Sequence, residues 1–113
     1  MLRGEIWWAK LHKPRKSEPG FKRPILILQT DSFNKSKIKT VICGVITSNI
    51  ELAKAPGNIL IGKRVSHLPK ESVINLSQII TIDKSYLIEY VSTLNKKIVE
   101  QVNDGLKLVF DLL

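Results

Sequence analysis

Ser72-Val73-Ile74-Asn75-Leu76-Ser77-Gln78-Ile79-Ile80-Thr81-Ile82 is the stretch on which the reading of this chain turns. Valine, isoleucine and leucine dominate it, and β-branched side chains suit a pleated surface better than a helix. Gln78 interrupts the apolar run, so the stretch reads as one long strand with a kink. Four similar runs precede it: Glu5-Ile6-Trp7-Trp8-Ala9-Lys10-Leu11, Pro24-Ile25-Leu26-Ile27-Leu28-Gln29, Lys39 to Thr47, and Asn58-Ile59-Leu60-Ile61-Gly62. Each is short and bounded by Gly, Pro, Asn, Asp or Lys clusters, the pattern of a compact antiparallel barrel.

Two segments read as helices. Asp83 can cap a short one through Ser85, Tyr86, Leu87 and Ile88. After Asn95, a second N-cap, the residues Ile98, Val99, Val102, Leu106, Val109, Phe110 and Leu113 recur at steps of three and four. That spacing makes one apolar stripe, expected to lie on the barrel as a lid. Two loops remain, the basic His12 to Lys22 and Ser48 to Pro56. A loop as long as the first is commonly functional or mobile.

With 113 residues, 43% of them hydrophobic, the chain is expected to form one domain spanning 1–113 with one modest core. The single Cys43 rules out an internal disulfide and, inside an apolar run, reads as a buried thiol rather than a nucleophile. Met1-Leu2-Arg3-Gly4-Glu5 carries charges where a signal peptide needs apolar residues, and no apolar run is long enough to span a bilayer. A reducing, cytoplasmic setting with no membrane partner follows as the expectation.

Net charge is +8, from 18 Lys+Arg against 10 Asp+Glu. Residues 1–40 hold ten basic and three acidic side chains, a surplus of seven, while residues 41–113 hold eight against seven. Such asymmetry suits an anionic partner met by one face, whether nucleic acid, anionic lipid or an acidic peptide, although composition alone slightly favours a merely solvated surface.

No Cys-x-x-Cys pair, His-x-x-x-His or acidic cluster offers a metal site, so neither metal nor other cofactor is expected. Phosphate-binding glycine loops and a Gly-x-Ser-x-Gly elbow are missing too. His12 and His67 sit in polar surroundings far apart in sequence and read as surface histidines. Three polar groups at strand ends are more informative: Lys22-Arg23-Pro24 entering a strand, Thr47-Ser48-Asn49 leaving one, and Gln78. Taken singly, each is an ordinary strand-end or bulge residue. An arginine held by a rigid strand suits phosphate, because its planar fork matches two oxygens.

Arg3-Gly4-Glu5-Ile6-Trp7 resembles the opening motif of the MazF/PemK family of toxin endoribonucleases. Gly20-Phe21-Lys22-Arg23-Pro24 resembles that family's Gly-x-x-Arg-Pro block, Ile46-Thr47-Ser48 its Ile-Thr turn, and the opening stretch its third motif. The blocks follow the family's order, and the chain sits nearest the chromosomal MazF branch. The resemblance implies a mainly β, SH3-like small barrel with a C-terminal helix, working as a homodimer. It implies the toxin of a type II toxin–antitoxin system, which cuts single-stranded RNA at a short sequence without metal and so inhibits translation and growth. It implies a cognate acidic, MazE-like antitoxin that covers the RNA groove. Carried over by position, the catalytic arginine falls on Arg23 and the catalytic threonine on Thr47. Substrate contacts fall on Ser17, Glu18 and Gln78.

Ser48 and Asn49 offer further contacts to base edges, Phe21 a stacking face and Lys22 a phosphate contact. In the plasmid Kid/PemK branch an Arg and an Asp of the third motif take part in catalysis; those positions are Asn75 and Ser77 here. Tyr86 stands where the family often has Arg. A gyrase-directed toxin of the CcdB type and a non-catalytic nucleic-acid-binding barrel are the rival readings.

Overall fold

The computed structural model describes residues 1–11 and 22–113. Six strands form one antiparallel sheet: β1 (Glu5–Lys10), β2 (Lys22–Ile27), β3 (Thr40–Thr47), β4 (Ile59–Ile61), β5 (Ser72–Asp83) and β6 (Leu87–Thr93). Their order across the sheet is β4-β5-β3-β2-β1-β6. Two short helices, α1 (Asp31–Asn34) and α2 (Lys63–Ser66), and a long one, α3 (Lys96–Phe110), complete the fold. The sheet curls into a half-barrel with β4 and β6 at its edges. The Ser92 hydroxyl of β6 donates to the Ser66 carbonyl of α2, which directly follows β4. That buried bond ties the two edges together.

Alternation along the strands divides the apolar residues between two faces. One face gathers Ile6, Leu26, Ile46, Ile74 and Leu76 beneath α3. The other gathers Ala9, Ile25, Ile27, Val41, Cys43 and Ile82. The adjacent Trp7 and Trp8 follow the same rule: Trp8 packs on the first cluster and Trp7 on the second, edge-to-face with Tyr90 at 6.0 Å. Burial pushes the Cys43 thiol up to about 12, which keeps it protonated and inert.

Arg3 pins the N-terminus to two elements. Its backbone N–H donates to Asp31 Oδ1 at 2.7 Å, its Nε to the Leu28 carbonyl at 2.8 Å and its guanidinium to Asn103 Oδ1 of α3 at 2.7 Å. The first of these bonds holds the Asp31 carboxyl below its ordinary range.

The strand expected over Ser72–Ile82 is present and kinked as expected. Gly44 of β3 pairs with Ile79, but its neighbour Val45 pairs with Asn75. Leu76, Ser77 and Gln78 are therefore looped out of the ladder as a bulge. Asn95 caps α3 by accepting from the Ile98 N–H at 2.9 Å.

Two helical expectations need correction. Asp83 does accept from the Ser85 N–H, yet the turn it caps ends at Tyr86, and Leu87 and Ile88 begin β6. Pairing with β1 outweighs the local cap, since Tyr90 lies opposite Trp7 and Ser92 opposite Ile6. The stripe on α3 covers the core only as far as Leu106. Ile98, Val99, Val102 and Leu106 pack on the cluster, whereas Val109, Phe110 and Leu113 are exposed.

Candidate functional site

β2 and β3 pair as Ile25 with Val45, Leu26 with Gly44 and Ile27 with Cys43, and the ladder ends there. Pro24 follows in the direction of the chain end of β3, and it has no N–H to donate. The two strands part at that point. Continuing the register by two residues sets Arg23 against Thr47 across the opening. Arg23 remains paired on its other side, opposite Ala9 of β1, so a strand still fixes its backbone.

A cavity of about 500 Å³ occupies the opening. Arg23, Thr47 and Gln78 line it, with Leu11, Val45, Ile80 and Ile82 as apolar walls. Gln78 arrives from the bulge of β5, which turns it out of the ladder. A second cavity, about 350 Å³, lies on the other face of the sheet and shares Arg23. Its walls include Trp8, Lys22, Ser48, Lys70 and Ser72. Arg23 thus stands on the wall between two hollows. Among the described residues, the charged side chains lining them are all basic, and no carboxylate lines either.

Thr47 is held by its own turn. The Asn49 N–H donates to Thr47 Oγ1 at 3.1 Å, so the hydroxyl keeps its proton to donate elsewhere. Asn49 turns its side chain away: Oδ1 accepts from the Glu51 N–H and caps the 3-10 turn Ile50–Lys54. Asn49 lines neither cavity. Ser48 lines the smaller cavity alone. Lys22 lies over the Trp8 ring, 5.3 Å from its centre, and within 3.9 Å of Glu89 Oε2. Both ends of that ion pair are exposed, so it holds Lys22 weakly. Ser17, Glu18 and Phe21 lie outside the described residues.

The structure adds Lys70, which the sequence does not single out, and gives Asn75 a place at the site. Lys70, from the segment before β5, brings a positive charge to the smaller cavity. Asn75 is buried behind Gln78, and its Nδ2 donates to Gln78 Oε1 at 3.4 Å. Conversely, Lys35, Lys37 and Lys39 stand beyond the start of β3, whose other end is Thr47. At about 3.3 Å per residue, seven steps of strand put them roughly 23 Å or more from that threonine. At that distance their charge adds to the long-range field of the surface rather than to the cavity at Arg23. His67 is an exposed left-handed cap of α2. Among the described residues no three His, Cys, Asp or Glu side chains come together as metal ligands would. No helix among them is long and apolar enough to cross a membrane.

Residues 2–110 match the model of the PemK-like, MazF-like toxin of type II toxin–antitoxin systems. The chain is 41% identical over 110 residues to endoribonuclease MazF6 of Mycobacterium tuberculosis, covering 97% of this chain and 96% of that protein. It is 39% identical over 112 residues to endoribonuclease MazF of Staphylococcus saprophyticus, covering 99% and 92%. Its fold matches that of a mycobacterial endoribonuclease solved in complex with its cognate antitoxin, with a TM-score of 0.77 at 19% identity, covering 100% of this chain and 95% of that one. An arginine and a threonine facing each other across an open strand end thus sit in a fold and a sequence that agree, and the chain belongs to the PemK-like, MazF-like family of type II toxins.

Proposed function

We propose that this chain is a toxin endoribonuclease of the cytoplasm that cuts single-stranded RNA at a short sequence. The observation carrying the reading is the meeting of Arg23, Thr47 and Gln78 around one cavity, whose lining among the described residues includes no carboxylate. An RNA strand is a polyanion, and the basic charge that Arg23 and Lys70 bring to the two hollows favours it. The names of the relatives support the same class of reaction.

RNA brings its own nucleophile. The ribose 2′-hydroxyl attacks the adjacent phosphorus and loses its proton, and the bond from phosphorus to the next 5′-oxygen breaks. That oxygen takes up a proton. The products are a 2′,3′-cyclic phosphate and a 5′-hydroxyl, and no water or metal enters the balance. The protein has to position the phosphate and stabilise its growing charge. Arg23 suits the second task as a permanently charged fork, which also disqualifies it as a base. Thr47 donates to a phosphate oxygen. Proton removal falls to Glu18 or to a water.

The toxin acts as a homodimer with a single domain per chain. A cognate acidic antitoxin, MazE-like in kind, competes with RNA for the basic groove; a structural neighbour was solved in complex with its cognate antitoxin. The testing experiment is to map cut ends on a long RNA, with and without a chelator. Cuts at one short sequence, with cyclic phosphate and 5′-hydroxyl ends in both conditions, are expected. Intact RNA would overturn the reading in favour of a gyrase-directed or purely binding toxin.

A further inference from the structure

Behind Gln78 runs a chain of hydrogen bonds whose direction is set by backbone groups. A backbone N–H can only donate and a backbone carbonyl can only accept, which removes the ambiguity of side-chain amides. The Leu76 N–H donates to Asn58 Oδ1 at 2.9 Å. Asn58 must then turn its Nδ2 the other way, where it donates to the Leu52 carbonyl at 2.9 Å and to Asn75 Oδ1 at 3.1 Å. The Ser77 N–H donates to the same Asn75 oxygen at 3.2 Å, and the Ser77 hydroxyl at 2.6 Å. With its oxygen so engaged, Asn75 presents Nδ2 to Gln78, and Gln78 Oε1 accepts it at 3.4 Å. The reverse orientation of Gln78 would set two amino groups against each other. Asn75 is buried, so its own amide is sheltered from water, while Ser77 and Gln78 are exposed, Gln78 on the cavity wall.

Resting on the ribonuclease reading of this site, we infer that Asn75 fixes the amide of Gln78 so that it offers the cavity a donor, Nε2, and not an acceptor. Asn75 is a positioning residue for recognition, acting through Gln78. The base read at Gln78 is then one with an oxygen acceptor at its exocyclic 4 or 6 position. That selects the keto bases, uracil and guanine, over the amino bases, cytosine and adenine, which carry a donor there. The kinked strand supplies the logic: the bulge that frees Gln78 from the ladder also places Asn75 and Ser77 where their bonds orient it.

Asn75→Asp tests the inference. It keeps the oxygen that accepts from Asn58 and Ser77 and replaces the Nδ2 donor by an acceptor. Gln78 then turns its amino group inward and presents Oε1 to the cavity. Each protein is incubated with an RNA pool randomised at every position, and the cut sequences are counted. The parent should show one position with a keto preference. Asn75→Asp should move that position, and no other, toward amino bases by roughly tenfold, the worth of one hydrogen bond exchanged for a repulsion. Gln78→Leu should flatten the same position. A uniform fall in cutting across all sequences, or a parent without keto preference at any position, would overturn the inference.

A second measurement is independent of cleavage. The side-chain amide protons of Gln78 should exchange quickly with water in the free parent protein and several-fold more slowly in Asn75→Asp, where the amino group turns inward; equal rates in the two would overturn the inference. Were the parent to cut no RNA, the ribonuclease reading would fall, and this exchange measurement would still decide the orientation of Gln78.

Discussion

In the proposed reaction the chemistry at Arg23 rests on one guanidinium held by one strand. Its backbone is paired with Ala9, and the following proline opens the ladder beside it. A preorganised donor removed from such a position typically costs roughly 100- to 1000-fold in rate. Arg23→Ala should therefore lower single-turnover cleavage at saturating RNA by at least about 100-fold; parent-like cleavage would unseat the assignment. Arg23, Thr47 and Gln78 are visible in the sequence as polar residues at strand ends or a kink, but only the family resemblance singles them out as site residues. The link between Asn58 and Asn75 is not visible there. They lie 17 residues apart, and their bond exists only once β4 and β5 pair. In the sequence Asn75 shows only that it lacks the charge its counterpart in the plasmid branch can carry; its donor geometry belongs to the folded state.

Among the elements, β5 was read well and β6 poorly, for one physical reason. The kink of β5 is a break in an otherwise continuous apolar run, and it is visible locally. β6 was hidden by a genuine cap at Asp83, although Ile88, Tyr90, Val91 and Thr93 carry the β-branched and aromatic signal of a strand. α3 shows a further tertiary effect at Gly105. Sequence alone marks that glycine as a weakness of about 1 kcal/mol relative to alanine. In the fold it is a close approach: a Cβ there would collide with the Gly57 carbonyl oxygen and with Leu76 Cδ1. Gly57 sits at φ +85° and cannot readily shift. Gly105→Ala should therefore destabilise, since overpacking of about 1–3 kcal/mol outweighs the helical gain. Thermal unfolding should show a lower Tm by several degrees; a raised Tm would mean that α3 can lift away from β4.

Over the whole molecule, charge is sorted more finely than the count along the chain suggested. The first forty residues carry the surplus, yet Lys35, Lys37 and Lys39 stand at the far end of β3, and Lys70 from the nearly neutral remainder reaches the smaller cavity. Binding of single-stranded RNA should weaken with salt by about 0.7 in log–log slope per phosphate neutralised. Lys70→Gln should lower that slope by about 0.7, the loss of one contact. An unchanged slope would place the RNA away from the smaller cavity.

By itself the sequence determined the strand-rich class, the capped C-terminal helix, the kink in the longest strand and the residue types able to hold a phosphate. All of these rest on local periodicity, capping or chain stiffness, which neighbouring residues decide among themselves. Tertiary structure decided that Arg23 faces Thr47, that Leu87–Thr93 pairs with β1, that Gly105 is a contact rather than a flaw, and which end of Gln78 meets the cavity. Each of these depends on backbones meeting across the sheet, where register and hydrogen-bond direction are set by groups distant in the chain.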